Sequence, residues 1–315
     1  MRHHNHTLQT PLLVMALILL SLSTCGHPIP TVEPHDPSTL HPVALQAGEK
    51  LRVVATTNII GDVVSNVGGD QIELTILMGP GVDPHTYVPT PADTAAIYDA
   101  HVVFANGADL EANLEEMFEA ADGEGVRVYL ADGLELRSLH GKPDPHVWFD
   151  VQNVMHWVQT ISSTLSALDP AHAALYEQNA QNYTEELQEL DAWIVEQIAQ
   201  IPEDNRKLVT NHPAFGYLAD RYGLEQLATV YPVNPSSEPS AQDVAALQDT
   251  IAQYGVPAVF SESTVNPKLA QQVAQDTGIK LVPLYTGSLG PPGSGAETYI
   301  LMMRYDVSHI VEALR

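Results

Sequence analysis

A long stretch near the middle of the chain predicts one uninterrupted helix. Asp169 and Pro170 offer a capping side chain followed by a proline at the first helical position, a pair typical of a helix start. Residues 171–201 contain no glycine or proline, and their apolar side chains recur at roughly helical spacing up to Pro202. About 30 residues at ~1.5 Å each give a helix of ~45 Å, longer than most helices within one domain. We therefore expect a rigid strut between two parts of the protein.

Short apolar runs alternate with helical patterns on both sides of this helix. The runs predicted as strands are residues 72–78, 101–105 and 126–130 before it, and 207–210, 256–260 and 280–284 after it. Residues 51–57 form a further short, mostly apolar run, and residues 227–233 are expected to be extended. Such alternation is typical of parallel sheets covered by helices. The sequence therefore predicts an α/β fold with two lobes, residues 50–168 and 203–315. Each lobe has a mainly parallel sheet flanked by helices, and the long rigid helix within residues 169–202 joins them.

The N-terminal region has the pattern of an export signal followed by a tether. An apolar run at residues 11–20 follows Arg2 and is too short for a comfortable membrane span. Cys25, the only cysteine, ends the sequence Leu-Ser-Thr-Cys, which resembles a bacterial lipobox. We therefore expect residues 1–25 to be a signal peptide with lipidation at Cys25; an ordinary cleaved signal is the alternative. Residues 26–49 are rich in proline and histidine and predict a flexible tether.

The net charge of the chain excludes one class of partner. The formal charge is −26 at pH 7. A nucleic-acid-binding protein needs basic surface to replace the counterions of the phosphates, so no nucleic acid is expected as a partner. The acidic surface favours solubility and attracts cations.

Three histidines lie where a strand-like run gives way to a loop: His85, His146 and His212. A proline next to each of them restricts the local backbone, which suits a preset geometry. They are too far apart in sequence for a single helix or hairpin to present them. Binding residues of open α/β sheets lie at the carboxyl ends of the strands, so the fold can bring them together. An imidazole cluster of this kind holds a borderline-soft divalent metal.

Several separated motifs give the chain a resemblance to a known family. In order, they are residues 53–58 (Val-Val-Ala-Thr-Thr-Asn), 83–87 (Asp-Pro-His-Thr-Tyr), 144–148 (Asp-Pro-His-Val-Trp), 211–217 (Asn-His-Pro-Ala-Phe-Gly-Tyr), 221–223, 238–240 and 297–304. From residue 51 to 314 the chain resembles the zinc- or manganese-binding solute-binding lipoproteins of ABC importers, the cluster A-I or cluster 9 family. The resemblance implies an exported protein, lipid-anchored at the membrane or periplasmic, that delivers a divalent metal to a membrane permease. We expect it to be a monomer and not an enzyme.

The resemblance also assigns the metal ligands. It implies His85 and His146 as ligands from the first lobe and His212 as the first ligand from the second lobe. Gly287 occupies the place of an aspartate that supplies the fourth ligand in much of the family, and glycine has no side chain to coordinate. Water, Glu262 or another nearby carboxylate could fill the fourth position. Glu262 could equally be a buried acid that supports the site without touching the metal.

The type of ligand bears on the metal and on the reaction. Imidazole suits zinc and manganese prefers oxygen, so three histidines favour zinc, with manganese or iron as the alternative. Three histidines with an open position are also the layout of a zinc hydrolase, in which Glu262 would be the base. The sequence contains no His-Glu-x-x-His helix, which favours a carrier over a hydrolase.

Overall fold

The computed structural model describes residues 1, 3, 39–121, 123, 125–231 and 240–315, and its first sheet lies in the N-terminal half. All four strands are parallel, in the order β2-β1-β3-β4: β1 (Leu51–Thr57), β2 (Ile72–Met78), β3 (Val102–Ala105) and β4 (Val126–Tyr129). The two central strands are almost completely buried, which explains why they are nearly continuous apolar runs. The predicted parallel sheet is confirmed.

Three helices cover this sheet: α1 (Asn58–Gly68), α2 (Pro91–Asp99) and α3 (Glu115–Ala121). α1 follows β1 directly because the side chain of Thr57 accepts a hydrogen bond from the Ile60 amide. α2 begins with a capping box between Thr90 and Asp93. The long loop between β2 and α2 contains His85 and lies at the carboxyl edge of the sheet.

A small hairpin and two long helices come next: β5 (Ser138–Leu139), β6 (Lys142–Pro143), α4 (Val151–Leu168) and α5 (Ala173–Ile198). α5 is the predicted long helix, but it has 26 residues and starts later than expected. Asp169 caps the end of α4 instead, and its carboxylate accepts hydrogen bonds from the His172 ring and the Tyr176 hydroxyl. The predicted helix start at Asp169 is therefore wrong, because these two side chains occupy the capping group.

The second sheet is also parallel and has the order β10-β9-β7-β8. Its strands are β7 (Lys207–Thr210), β8 (Glu225–Thr229), β9 (Ala258–Glu262) and β10 (Lys280–Leu284), and its helices are α6 (Gly216–Tyr222), α7 (Ala241–Tyr254), α8 (Lys268–Thr277) and α9 (Tyr299–Leu314). β7 and β9 lie side by side, with Thr210 opposite Phe260. This register sets the positions of the residues that follow both strands.

One continuous apolar core connects the two sheets. It extends from Val53 in β1 through Trp157 in α4 and Leu187 in α5 to Phe260 in β9 and Met302 in α9. Residues on the opposite faces of the strands form two smaller clusters, one for each sheet. α5 packs against α1, α4 and α9 and so contacts elements from both halves. The exact lobe boundaries, at 168/169 and 202/203, stay predictions.

The predicted N-terminal segments are described only in part. The signal region and Cys25 lie outside the described residues. Within residues 39–49, Leu40, Val43 and Leu45 pack against the core, and the Val43 amide donates to the Leu168 carbonyl at 2.8 Å. This end of the predicted tether is therefore attached to the fold. No helix in the described part of the chain is both long and apolar enough to cross a bilayer.

Asp62 in α1 predicts a pH-dependent contribution to stability. Its Oδ2 accepts hydrogen bonds from the Tyr299 amide at 2.9 Å and the Tyr183 hydroxyl at 3.4 Å, which connects α1 to α9 and α5. Burial raises the pKa of Asp62 to about 6, whereas an unfolded chain has an aspartate pKa of ~3.9. The folded state therefore binds this proton more tightly. The contribution of this proton on Asp62 to the free energy of unfolding is fully present below pH ~4. It is lost as the pH rises through about 6, by up to ~3 kcal/mol.

We expect Asp62→Asn to remove this loss while keeping an oxygen for the Tyr299 amide. The free energy of unfolding of wild type and variant would be measured by urea denaturation between pH 4 and 8, in the presence of a chelator. The variant should gain stability relative to wild type as the pH rises. A difference that does not change with pH would contradict the shifted pKa.

Candidate metal centre

The three predicted histidines come from three loops. His85 lies in the loop after β2, and His212 comes two residues after β7, so both are at carboxyl ends of parallel strands. His146 follows the hairpin β5–β6 and precedes a short 3-10 turn at Val147–Phe149. His146 and His212 are buried, and His85 is partly exposed. The cluster is therefore buried at His146 and His212 and reaches solvent at His85.

The rings of these histidines converge in space. The Nε2 atoms of His85 and His146 are 3.2 Å apart, and those of His146 and His212 are 3.0 Å apart. Their ring centroids are 4.9 to 5.3 Å apart. Two nitrogens bound to one tetrahedral zinc lie about 3.3 Å apart, given Zn–N bonds of ~2.0 Å. In the described part of the chain, this is the one group of three or more such side chains that could hold a metal ion.

Two buried carboxylates fix the orientation of two of the rings. Asp144 Oδ1 lies 2.8 Å from Nδ1 of His146, and Glu262 Oε1 lies 2.5 Å from Nδ1 of His212. The other oxygen of Glu262 accepts from the Thr286 hydroxyl at 2.6 Å. A carboxylate at Nδ1 favours the tautomer with its proton on that nitrogen, which leaves Nε2 free to bind a metal.

His85 is positioned by its backbone. Its amide donates to Asp83 Oδ1 at 3.0 Å, and the hydroxyl of Thr86 donates to Asp83 Oδ2. Asp144 makes the same turn with the His146 amide at 3.1 Å, so both Asp-Pro-His segments use one local geometry. Among the described residues, however, no carboxylate contacts the ring of His85. This ring can therefore move more easily than the other two.

The electrostatics of the cluster favour the neutral form of His85 and His146 but the protonated form of His212. Burial lowers the pKa of His85 well below its usual range, and the neighbouring rings lower it further. Burial also lowers the pKa of His146, against the effect of Asp144. Burial acts in the same direction on His212, but the charge and hydrogen bond of Glu262 outweigh it and raise the pKa of His212. In return, His212 opposes the burial of Glu262 and lowers the pKa of that carboxyl.

Glu262, the possible fourth ligand, is not part of the converging group. Both of its oxygens face the Nδ1 side of His212 and the Thr286 hydroxyl, away from the three Nε2 atoms. Gly287 lies very close to Pro84, and a Cβ there would come within 2.7 Å of Pro84 Cδ. A side chain at residue 287 would therefore require the loop that contains His85 to shift.

Sequence reasoning missed two residues that shape the site. Asp144 was recognised only as part of a motif, although its position two residues before His146 permits the contact with the ring. Thr286 gave no signal, because its contact with Glu262 depends on the fold. The segment around Thr286 also contacts the first half of the chain, since Trp148 Nε1 donates to the Thr286 carbonyl at 3.0 Å.

Ser288 in the same segment makes a further connection between the halves. Its hydroxyl oxygen accepts from the Asn58 side chain at 3.0 Å and from the Gly81 amide at 2.8 Å. The Leu289 amide donates to Asn58 Oδ1 at 3.1 Å. The segment between β10 and α9 is thus hydrogen-bonded to the start of α1 and to the loop that contains His85. The cluster lies where the two halves touch.

Comparison with known proteins gives a consistent result. Residues 53–313 match the family described as zinc-uptake complex component A, periplasmic (ZnuA). The chain is 37% identical over 270 residues to the manganese-binding lipoprotein MntA of Halalkalibacterium halodurans, covering 85% of this chain and 89% of that protein. It is 33% identical over 280 residues to the manganese ABC transporter substrate-binding lipoprotein PsaA of Streptococcus pneumoniae, covering 85% and 90%.

Solved structures agree with these relatives. The periplasmic zinc-binding protein TroA from Treponema pallidum superposes with a TM-score of 0.80 at 32% identity, covering 84% of this chain and 99% of that one. A manganese-bound periplasmic metal-binding protein from Candidatus Liberibacter asiaticus gives a TM-score of 0.77 at 30% identity, covering 85% and 100%. The predicted fold and the predicted family are confirmed.

These findings decide between the two classes of function considered from the sequence. Members of the family are solute-binding proteins of ABC importers and not enzymes, which removes the hydrolase alternative. They work outside the cytoplasm, as lipoproteins at the membrane or in the periplasm, as the sequence predicted. The chain therefore belongs to the ZnuA family and is the substrate-binding component of a metal ABC importer, with a metal ion as its cargo and a membrane permease as its partner.

Proposed function

We propose that His85, His146 and His212 bind the transported cation directly, between lobes formed by residues 50–168 and 203–315. The observation that supports this most strongly is that Nε2 of His146 lies 3.2 Å from Nε2 of His85 and 3.0 Å from Nε2 of His212, with one nitrogen from each of the three rings within 4.8 Å of the others. Three nitrogens facing one another this closely repel unless a proton or a cation lies between them. A divalent cation satisfies all three at once.

Zinc is the preferred cargo in this proposal. The three converging donors are imidazoles, which suit zinc, and no carboxylate oxygen of the described residues joins them. Glu262 does not touch the cation but orients His212 from its Nδ1 side. Water or another oxygen completes the coordination on the solvent-facing side of the cluster, near His85. Manganese is the second candidate, because the relatives MntA and PsaA are named for it.

Capture and delivery follow from the same geometry. Neutral imidazoles displace water from the cation, and the nearby charges of Asp144 and Glu262 balance its two positive charges without touching it. The partly exposed His85 is the ligand that meets the incoming cation and the last to hold it. We further propose that the protein is a monomer and that lipidation at Cys25, with the residues between Cys25 and the packed Leu40 as a tether, keeps it close to its permease.

Replacing His146 tests the proposed ligands. We expect His146→Ala to weaken zinc binding by at least about 100-fold, since loss of a ligand costs more than loss of a residue that orients one. Affinity would be measured by competition with a chromophoric zinc chelator. His156→Ala is the matched control, because His156 lies in α4 and contacts the Asp132 carbonyl away from the cluster. Unchanged affinity in His146→Ala would overturn the proposed site.

Metal preference can be measured directly. We expect zinc to bind at least about 100-fold more tightly than manganese, because three nitrogen donors follow the order of affinities for divalent metals. Competition titrations of the metal-free protein would give both constants, and elemental analysis of protein purified without added metal would show which ion it retains. Tighter binding of manganese would reverse the assignment of the cargo.

Metal binding should weaken as the pH falls, because a protonated imidazole cannot coordinate. Glu262 raises the pKa of His212, so protons compete for this ring first and at a higher pH than for the other two. Zinc affinity measured between pH 8 and 5 should fall progressively. In Glu262→Gln the loss should begin at lower pH, since the charge that favours the protonated ring is gone. An identical pH profile in both proteins would contradict this role of Glu262.

A further inference from the structure

Arg137 lies at the base of the hairpin that precedes His146. Its carbonyl accepts a hydrogen bond from the Asp144 amide at 2.8 Å, so the two residues are paired across the ends of β5 and β6. Its guanidinium also approaches the carboxylate of Asp144, with Nη1 at 3.4 Å from Oδ2. Arg137 therefore contacts the ring of His146 indirectly, through the carboxylate of Asp144.

The same side chain contacts α6 of the second half. Nε of Arg137 lies 2.7 Å from Asp220 Oδ2, and the guanidinium carbon lies 5.6 Å from the centre of the Tyr217 ring. The Tyr217 hydroxyl accepts from the Arg137 amide and donates to the Asp144 carbonyl, both at 3.0 Å. The base of the hairpin is thus connected to α6 by side chain and backbone together.

Gly216 at the start of α6 makes room for this contact. A Cβ at this position would lie 1.3 Å from Nη1 of Arg137 and 2.4 Å from its guanidinium carbon. Any other residue would have to displace the end of the arginine side chain. Because that end is flexible, a substitution at Gly216 moves Arg137 without disturbing the backbone around it.

The carboxylate of Asp144 needs this partner. Its side chain is only 1% exposed, and its Oδ1 is already used by the amide and ring of His146. A buried carboxylate that loses a nearby cation becomes costly and turns towards other partners. Such a rearrangement would alter its hold on Nδ1 of His146.

We propose that Arg137 is a positioning residue that makes the orientation of His146 depend on contact between the two halves. While α6 touches the hairpin, Arg137 lies between Asp220 and Asp144 and keeps the Asp144 carboxylate against His146. When α6 moves away, Asp144 loses this support and His146 releases the cation sooner. The inference rests on the proposed role of His146 as a ligand.

The test is the rate at which zinc leaves the full-length protein, followed by chasing it into an excess of chromophoric chelator. We expect Arg137→Ala to release zinc about tenfold faster with little change in the association rate. Arg137→Lys should release zinc more slowly than Arg137→Ala but faster than wild type, because lysine keeps the positive charge but not the planar guanidinium that reaches both carboxylates. Arg127→Ala, which removes an arginine that lies over the Phe118 ring instead, should leave the rate unchanged.

Gly216→Ala provides an independent measurement. It should accelerate release as Arg137→Ala does, and the double variant should be no faster than the faster single variant, because both remove one contact. A role limited to stability would shift the urea midpoint without changing the release rate. Release within twofold of wild type in Arg137→Ala, or fully additive effects, would overturn the inference. If His146→Ala still lost zinc binding, the proposed function would stand; retained binding there would remove both.

Discussion

Two buried carboxylates determine what the histidine cluster can do. Without Asp144 and Glu262 against their Nδ1 atoms, the rings of His146 and His212 could turn either nitrogen inwards. The strand register of the second sheet supplies one of these pairs. Thr210 in β7 lies opposite Phe260 in β9, so the residues two places further along, His212 and Glu262, emerge side by side. A parallel sheet thus builds half of the site from its own hydrogen-bond pattern.

The apolar core holds the segment that contains His146. His146 is followed by Trp148 and Phe149, which are almost fully buried, and the Tyr299 hydroxyl donates to the Trp148 carbonyl at 2.7 Å. The ligand segment is therefore fixed by side chains that belong to the shared core. Since that core continues from one sheet to the other, a wide separation of the halves would expose much of it to water. Small movements around the cluster are favoured over a broad hinge.

The sequence predicted most of the features that depend on local pattern. The central strands, the long helix and the loop positions of the three histidines all follow from periodicity and from breaks in it. What it could not predict depends on contacts between distant residues. The cap at Asp169 was misassigned because Tyr176 competes for its carboxylate, and the direction of Glu262 depends on the register of β7 and β9. Arg137 gave no signal, because its partners Asp220 and Gly216 are far along the chain.

Charge and ligand type make separate contributions to such a site. In the proposed site, the carboxylates of Asp144 and Glu262 would balance a divalent cation from a distance, and this balance would favour any ion of that charge. The choice among ions depends on the few atoms that touch the metal, which in the proposed site are imidazole nitrogens. Overall identity of 37% to a manganese-binding relative averages over some 270 residues and gives these few positions little weight. In our proposal, the donor set at His85, His146 and His212 therefore carries more weight than this overall identity, and it is the reason for proposing zinc as the cargo.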